Sequence, residues 1–281
     1  MKQVARQARY EGRPTGFVPT MGALHAGHLS LVRAALAQCR PVIASIFVNP
    51  TQFGPSEDFQ KYPRTLDADG RKLEDAGVDY LFAPEAPEIY PQGFRTWVNV
   101  EGLSDRLEGR VRPGHFRGVT TVVLKLLEII QPQKAFFGRK DAQQARIIRQ
   151  MARDLHLNSE ILVCPIVREA DGLAMSSRNA YLNPRDRRAA TILFRALDAA
   201  RASIEGGERD ALRLTAAMRE MLRTEPLAEP DYVELVDAET LEPVTRLRGA
   251  CLALIAARVG AVRLIDNLLI EERAGEFLTT L

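Results

Sequence analysis

Hydrophobic and polar positions follow two rhythms along the first 170 residues. Short apolar runs at 15–20 (TGFVPT), 41–49 (PVIASIFVN), 79–83 (DYLFA), 134–138 and 160–167 read as strands, the 41–49 run buried on both faces. Between them the spacing becomes helical. Residues 28–38 place Leu29, Leu31, Val32, Ala35 and Leu36 on one stripe, and a polar helix is predicted over 67–76. Residues 117–131 place Val119, Val122, Val123, Leu126, Leu127 and Ile130 at helical spacing until Pro132 ends the run, and a further helix is predicted over 142–155. Strand, helix, strand in this order predicts α/β architecture: a Rossmann-like parallel sheet with helices on both faces. The GxGxxG fingerprint is absent, so a dinucleotide is not implied.

The rhythm changes after about Ser177. Two long helices, 184–204 and 209–223, flank Gly206-Gly207, and runs at 232–236, 250–257 and 262–266 read as strands of a separate antiparallel or mixed sheet. The predicted boundary lies near residues 171–177, giving a Rossmann-like domain over 1–172 and a smaller α+β C-terminal domain, a candidate lid, over 173–281. Net charge is only +2, so no general attraction to nucleic acid or membrane is encoded. Cys39, Cys164 and Cys251 are odd in number and far apart, which argues against a disulfide framework and for a reducing compartment. Residues 1–13 lack the apolar core of a secretory signal, and the apolar stretch at 250–257 is too short to span a bilayer. The expectation is a cytoplasmic protein without a nucleic-acid or membrane partner.

Three motifs carry chemistry. The first, PTMGALHAGH, runs from Pro19 to His28 between a strand and a helix, so Gly22 and Gly27 allow close backbone approach and the helix N-terminus offers N–H donors. His25 and His28, three residues apart, can donate to a phosphate oxygen as charge builds. By itself an HxxH pair is more often two loop histidines; the strand–Pro–Thr–Met–Gly context reverses those odds. The second, AMSSRN, offers the hydroxyls of Ser176 and Ser177 and the planar fork of Arg178 to a phosphate chain. Its bland reading is a helix N-cap beside an arginine. The two motifs together match the paired HIGH-like and KMSKS-like ATP motifs of nucleotidyltransferases and class I aminoacyl-tRNA synthetases. The third, Gly138-Arg139-Lys140-Asp141 with Gln143-Gln144, follows a strand. Lys140 can meet phosphate as a point charge and Asp141 can accept from ribose hydroxyls, or serve as a helix start.

PTMGALHAGH, IFVNPTQFGPSEDFQKYPRT, LEGRVRPGHFRGVTTVVLKL, FFGRKDAQQ and VREADGLAMSSRNAYL occur in that order, and the whole resembles the pantoate–β-alanine ligase family. The match is dense over residues 14–182 and weaker beyond, where RLIDN (263–267) is also similar. The resemblance implies an amide-forming ligase that makes pantothenate, AMP and pyrophosphate from pantoate, β-alanine and ATP through a pantoyl-adenylate, with Mg²⁺ and as a homodimer. It implies that His28 is the proton donor and that Met21, Gly22, Ala23, Leu24, His25, Ala26, Gly27 and His28 form the ATP loop. Gly138, Arg139, Lys140, Asp141, Val167, Met175, Ser176, Ser177 and Arg178 would be the remaining ATP contacts. His25, Lys140, Ser176, Ser177 and Arg178 would join His28 in stabilising charge. Gln52 and Gln144 would hold pantoate, with Gln52 near β-alanine. Arg112 and His115 would line the site, and residues 53–64 are a candidate lid. Two positions depart from the family pattern: Arg139 replaces the usual Glu, and the acidic run expected to meet Mg²⁺ reads Asp67-Ala68-Asp69, with Ala68 between two acids. The run therefore does not single out one ligand; Asp69 is a candidate, and the ATP phosphates with water are the other way to hold the ion. The competing reading is a nucleotidyltransferase acting on a small phosphorylated substrate, which gives no reason for the paired glutamines. An RNA-binding relative would need a basic face, and a silent nucleotide sensor would not turn ATP over.

Overall fold

A computed structural model describes residues 1–55 and 57–281. It separates into two compact units, residues 1–139 with 143–165, and residues 140–142 with 166–281. The sequence pattern changes slightly later, at 171–177.

In the first unit the elements run α1 (Lys2–Tyr10), β1 (Gly16–Thr20), α2 (Ala26–Leu36), β2 (Val42–Ile46), α3 (Leu66–Asp75), β3 (Tyr80–Phe82), α4 (Ala86–Ile89), α5 (Glu108–Val111), α6 (His115–Ile130), β4 (Lys134–Gly138), α7 (Ala142–Asp154, entered from the residues grouped with the second unit) and β5 (Glu160–Cys164). The strands are parallel in the order β3-β2-β1-β4-β5. Phe17, Val18, Ile43, Ala44 and Phe136 are fully buried, which explains why β1, β2 and β4 show runs rather than alternation. One connection direction leads from β1 to β2 and β3, and the other to β4 and β5. The order therefore reverses at β1, the place where open α/β sheets bind ligands beyond their strand ends.

The second unit contains α8 (Pro184–Ala190), α9 (Ile192–Glu205), α10 (Ala211–Arg223) and the antiparallel sheet β6 (Ala228–Asp237), β7 (Ala250–Val259), β8 (Val262–Arg273), β9 (Glu276–Thr280), in that order. Leu193, Leu197, Leu214 and Met218 from the helices meet Ile255, Leu264 and Leu268 from the sheet in one core. The predicted α/β plus α+β architecture is what the chain adopts. The helix expected over 184–204 is two, because the chain tightens at Thr191, whose N–H and hydroxyl both donate to Arg188 O (3.3 and 2.8 Å). Asn183 starts the first of them, accepting from the Arg185 and Asp186 N–H groups ahead of Pro184 at the first helical position.

Candidate active site

The ten-residue motif folds as its letters suggest, but a distant residue shapes it. β1 ends at Thr20, whose hydroxyl donates to Ser45 O (2.7 Å) and accepts from Gly22 N (3.2 Å). Gly22 and Ala23 then take positive φ (83° and 50°), uncommon for alanine. The Asp69 carboxylate, fully buried at the start of α3, accepts the next two N–H groups: Ala23 N at 2.7 Å on one oxygen and Leu24 N at 2.8 Å on the other. Thr65 Oγ1 donates to it at 2.9 Å, and Lys72 Nζ lies 3.6 Å away while donating to Leu24 O at 2.7 Å. A side chain at position 22 would meet Asp69 Oδ2 at 3.2 Å and Ile46 at 3.1 Å, so glycine is needed there for space as well as for φ.

His25 is the N-cap of α2 and His28 its third residue. Gly27 N donates to His25 Nδ1 (3.2 Å), and His25 N donates to His28 Nδ1 (3.3 Å). The two histidines are therefore not simply loop residues: they form a capping box at the start of α2. It also has a chemical consequence: a neutral ring accepting at Nδ1 carries its hydrogen on Nε2, so each imidazole presents Nε2–H as a donor. The rings lie 4.1 Å apart at a helix N-terminus, where an anion is favoured.

Gln52 closes the one-turn helix Pro50–Gln52 after β2. Its side chain is nearly buried, donating through Nε2 to Met21 Sδ (2.8 Å) and accepting through Oε1 from Asn49 Nδ2 (3.1 Å). Asn49 was missed by the sequence reading. It is 1% exposed, reaches Gly118 O (3.2 Å) with the same amide, and accepts at Oδ1 from Tyr90 OH (2.9 Å) and Thr51 Oγ1 (3.0 Å). The available signal was a polar residue at a strand's C-terminal end directly before proline. From the other side His115 Nδ1 meets Gln52 O at 2.8 Å; a carbonyl only accepts, so Nδ1 is the donor and Nε2 accepts from Arg112 NH1 (3.2 Å). Burial first, and the adjacent guanidinium second, lower the His115 pKa to about 4, so the ring is neutral at pH 7. Arg112 also grips Glu57 with two bonds (2.8 and 2.6 Å). In the candidate lid, 53–64, Phe53 packs on Phe59 and Tyr62, and Arg64 lies over Phe59. Ser56 of that segment lies outside the described residues. Gln144 stands half-buried in the first turn of α7 after β4, whereas its neighbour Gln143 is spent on structure, bonded to Glu108 N, Leu103 O and Arg106 O. In a parallel sheet the segments after β2, β1 and β4 leave from one edge. Gln52, the histidine loop and Gln144 therefore share that edge.

In the second unit the candidate residues sit on and after a hairpin. Met175 N donates to Val167 O (3.0 Å) and Glu169 N to Leu173 O (2.9 Å), so Val167 and Met175 are brought side by side. The turn ends at Gly172 with φ 89°, where any side chain would strike the Phe194 ring at 2.2 Å. Ser176 caps the short turn Ser177–Tyr181, accepting Arg178 N at 3.2 Å, as its bland reading expects. Asn179 Nδ2 ties that turn to Glu169 (2.7 Å) and Ala174 O (3.1 Å), and Arg187 adds ion pairs to Glu169 and Asp171. Lys140, grouped with this unit, has its Nζ 3.6 Å from Asp141 in the turn Arg139–Asp141 that follows Gly138. Arg139 is half-buried, with Nε shielded from solvent.

Asp69 does not fit the metal role expected of it. Both of its oxygens already receive main-chain donors, and it is walled from solvent. Among the described residues no cluster of three or more His, Cys, Asp or Glu side chains could hold a metal ion. No described helix is long and apolar enough to cross a membrane.

Comparison with known proteins agrees with this geometry. The family described as Pantoate-beta-alanine ligase matches residues 1–269. The chain is 58% identical to the pantothenate synthetase of Acidobacterium capsulatum over 265 residues (94% of this chain, 89% of that one). It is 57% identical to that of Heliobacterium modesticaldum (95% of each). The solved pantothenate synthetase of Thermus thermophilus superposes with a TM-score of 0.88 at 49% identity, over 90% of this chain and 92% of that one. The pantoate–β-alanine ligase of Francisella tularensis, solved with beta-gamma ATP and β-alanine, gives 0.76 at 37% identity, over 95% and 94%. With its motifs, fold and relatives in accord, the chain belongs to the pantoate–β-alanine ligase family of enzymes.

Proposed function

We propose that the chain condenses pantoate with β-alanine at the expense of ATP, through a pantoyl-adenylate. The observation that carries this reading is the pair of imidazoles His25 and His28, held through Nδ1 by main-chain N–H groups after the end of β1, on the same sheet edge as Gln52 and Gln144. That edge combines donors for a phosphate with amides suited to a hydroxy acid.

In the first step a pantoate carboxylate oxygen attacks the α-phosphorus, the bond to the bridging oxygen breaks, and pyrophosphate leaves with its electron pair. The enzyme supplies position and charge rather than a covalent nucleophile. His28 Nε2–H donates to an α-phosphate oxygen, with His25 beside it. Lys140, Ser176, Ser177 and Arg178 neutralise the leaving pyrophosphate. The ATP loop 21–28, Gly138, Arg139, Asp141, Val167 and Met175 hold the nucleotide, and Gln52 and Gln144 hold pantoate. In the second step the β-alanine nitrogen attacks the acyl carbonyl, loses a proton and expels AMP. Mg²⁺ would accompany the triphosphate, held by its oxygens rather than by Asp69. A homodimer is the assembly expected, and light scattering would test it.

The deciding experiment is exchange of labelled pyrophosphate into ATP without any amine. Exchange that requires pantoate supports the adenylate, and subsequent β-alanine should release AMP. No exchange, under conditions where ATP binds, would sink the two-step reading.

A further inference from the structure

β8 carries two polar residues in the middle of an apolar strand, Asp266 and Asn267, 2% and 1% exposed. Neither was given a role above, although both belong to the RLIDN string. The Asp266 carboxylate receives Arg168 through two bonds (2.7 and 3.0 Å) and the N–H of Asn267 at 2.7 Å. Arg168 in turn donates to Gly172 O (3.0 Å), at the turn of the hairpin that leads into Ser176–Arg178, and lies over the Phe194 ring at 5.1 Å. The Asn267 amide donates to Lys140 O at 3.0 Å.

A buried ion pair is a poor way to gain stability, because several kcal/mol per ion are lost on leaving water (order of magnitude) and an apolar pair of equal volume often does better. What such a pair does well is fix directions. Here the directions concern two stretches already given phosphate chemistry. Asp266 orients Arg168 and, through it, the hairpin. Asn267, the next residue, faces the opposite side of the strand and holds the peptide of Lys140. The three residues 140–142 group with the second unit, so this strand supplies the local frame for Lys140.

We propose that Asn267, braced by the Asp266–Arg168 pair, is a positioning residue for Lys140: it sets where the ammonium stands by fixing the main chain that carries it. The proposal rests on the reading of Lys140 as a phosphate contact.

The test is a double-mutant cycle in pantoate-dependent pyrophosphate exchange, with Asn267→Ala, Lys140→Ala and the pair. If Asn267 acts through Lys140, Asn267→Ala lowers the exchange rate roughly 10–100-fold, the scale of a misplaced catalytic group. It leaves the KM for pantoate in place, and it has almost no further effect once Lys140 is alanine. Asn267→Asp, which keeps the shape but replaces the amide donor with a carboxylate, behaves as the alanine variant does and covers the case in which the smaller residue fails to fold. Additive losses in the double variant, or unchanged exchange in both single Asn267 variants, would overturn the proposal. Wild-type exchange by Lys140→Ala is a different failure: it removes the phosphate reading of Lys140, and the proposal with it.

Discussion

Asp69 and His115 hold the site together through main-chain atoms, one as an anion and one as a neutral ring. Asp69→Asn keeps the shape but turns an N–H₂ toward one of two N–H donors. An orphaned buried donor costs about 1–3 kcal/mol, and the loop at Ala23 loses its restraint. We expect a lower melting temperature and a raised KM for ATP that added Mg²⁺ does not restore; recovery at high Mg²⁺ would return Asp69 to the metal. His115 makes a pH prediction. Its folded pKa of about 4 lies below the ordinary 6.5, so an unfolded chain takes up a proton that the folded one refuses. The stabilisation from the neutral ring is complete above pH 6.5 and lost as pH falls toward 4, at about 1.4 kcal/mol per unit. His115→Gln, which retains a donor for Gln52 O, should show a shallower loss of stability between pH 6.5 and 5, measured by urea titration at each pH. At this scale the sequence singled out His25, His28 and Gln52 as candidates, because their neighbours in the chain define the motifs they belong to. It could not tell an anchor from a metal ligand at Asp69, because the answer lies in the Ala23 and Leu24 N–H groups more than 40 positions away.

If Gln52 holds the acid substrate as proposed, the element that matters for it is the turn Pro50–Gln52, and α6 lies hard against that turn. A Cβ at Gly118 would fall 2.4 Å from Thr51 O and 2.8 Å from Gln52 N, contacts that only backbone movement can relieve. Gly118→Ala should therefore raise the KM for pantoate more than that for ATP, although it sits inside a helix where alanine is the better helix former. Equal effects on both constants would disprove the close-approach account. Helices α2, α6 and α7 were legible from their 3.6-residue stripe, and β1, β2 and β4 from their continuous burial. The edge strand β9, with alternating exposure and only five residues, gave no such signal, and α1 precedes the region where the rhythm is regular.

On the scale of the whole molecule, the change of rhythm after Ser177 reflected a real change from parallel to antiparallel sheet. The grouping of residues 140–142 with the second unit had no counterpart in the sequence, since it depends on a strand 120 residues and more downstream. Each unit has its own buried core, built in the second around α9 and its sheet. Leu193→Ala, at a position with no solvent exposure, should cost about 2–5 kcal/mol. Hydrogen exchange should show protection falling over 184–281 before it falls in β1 and β2; uniform loss along the chain would mean that the two cores melt as one.

The carboxylate of Asp69 also bears on how the histidine loop comes into being. During synthesis, residues 19–28 leave the ribosome well before the helix that carries their anchor, so the most recognisable string in the chain has its letters long before it has its shape. Grafted onto another strand–helix unit, the ten residues would arrive without the buried anion that their backbone requires. Whoever transplants this motif must transplant the start of α3 as well.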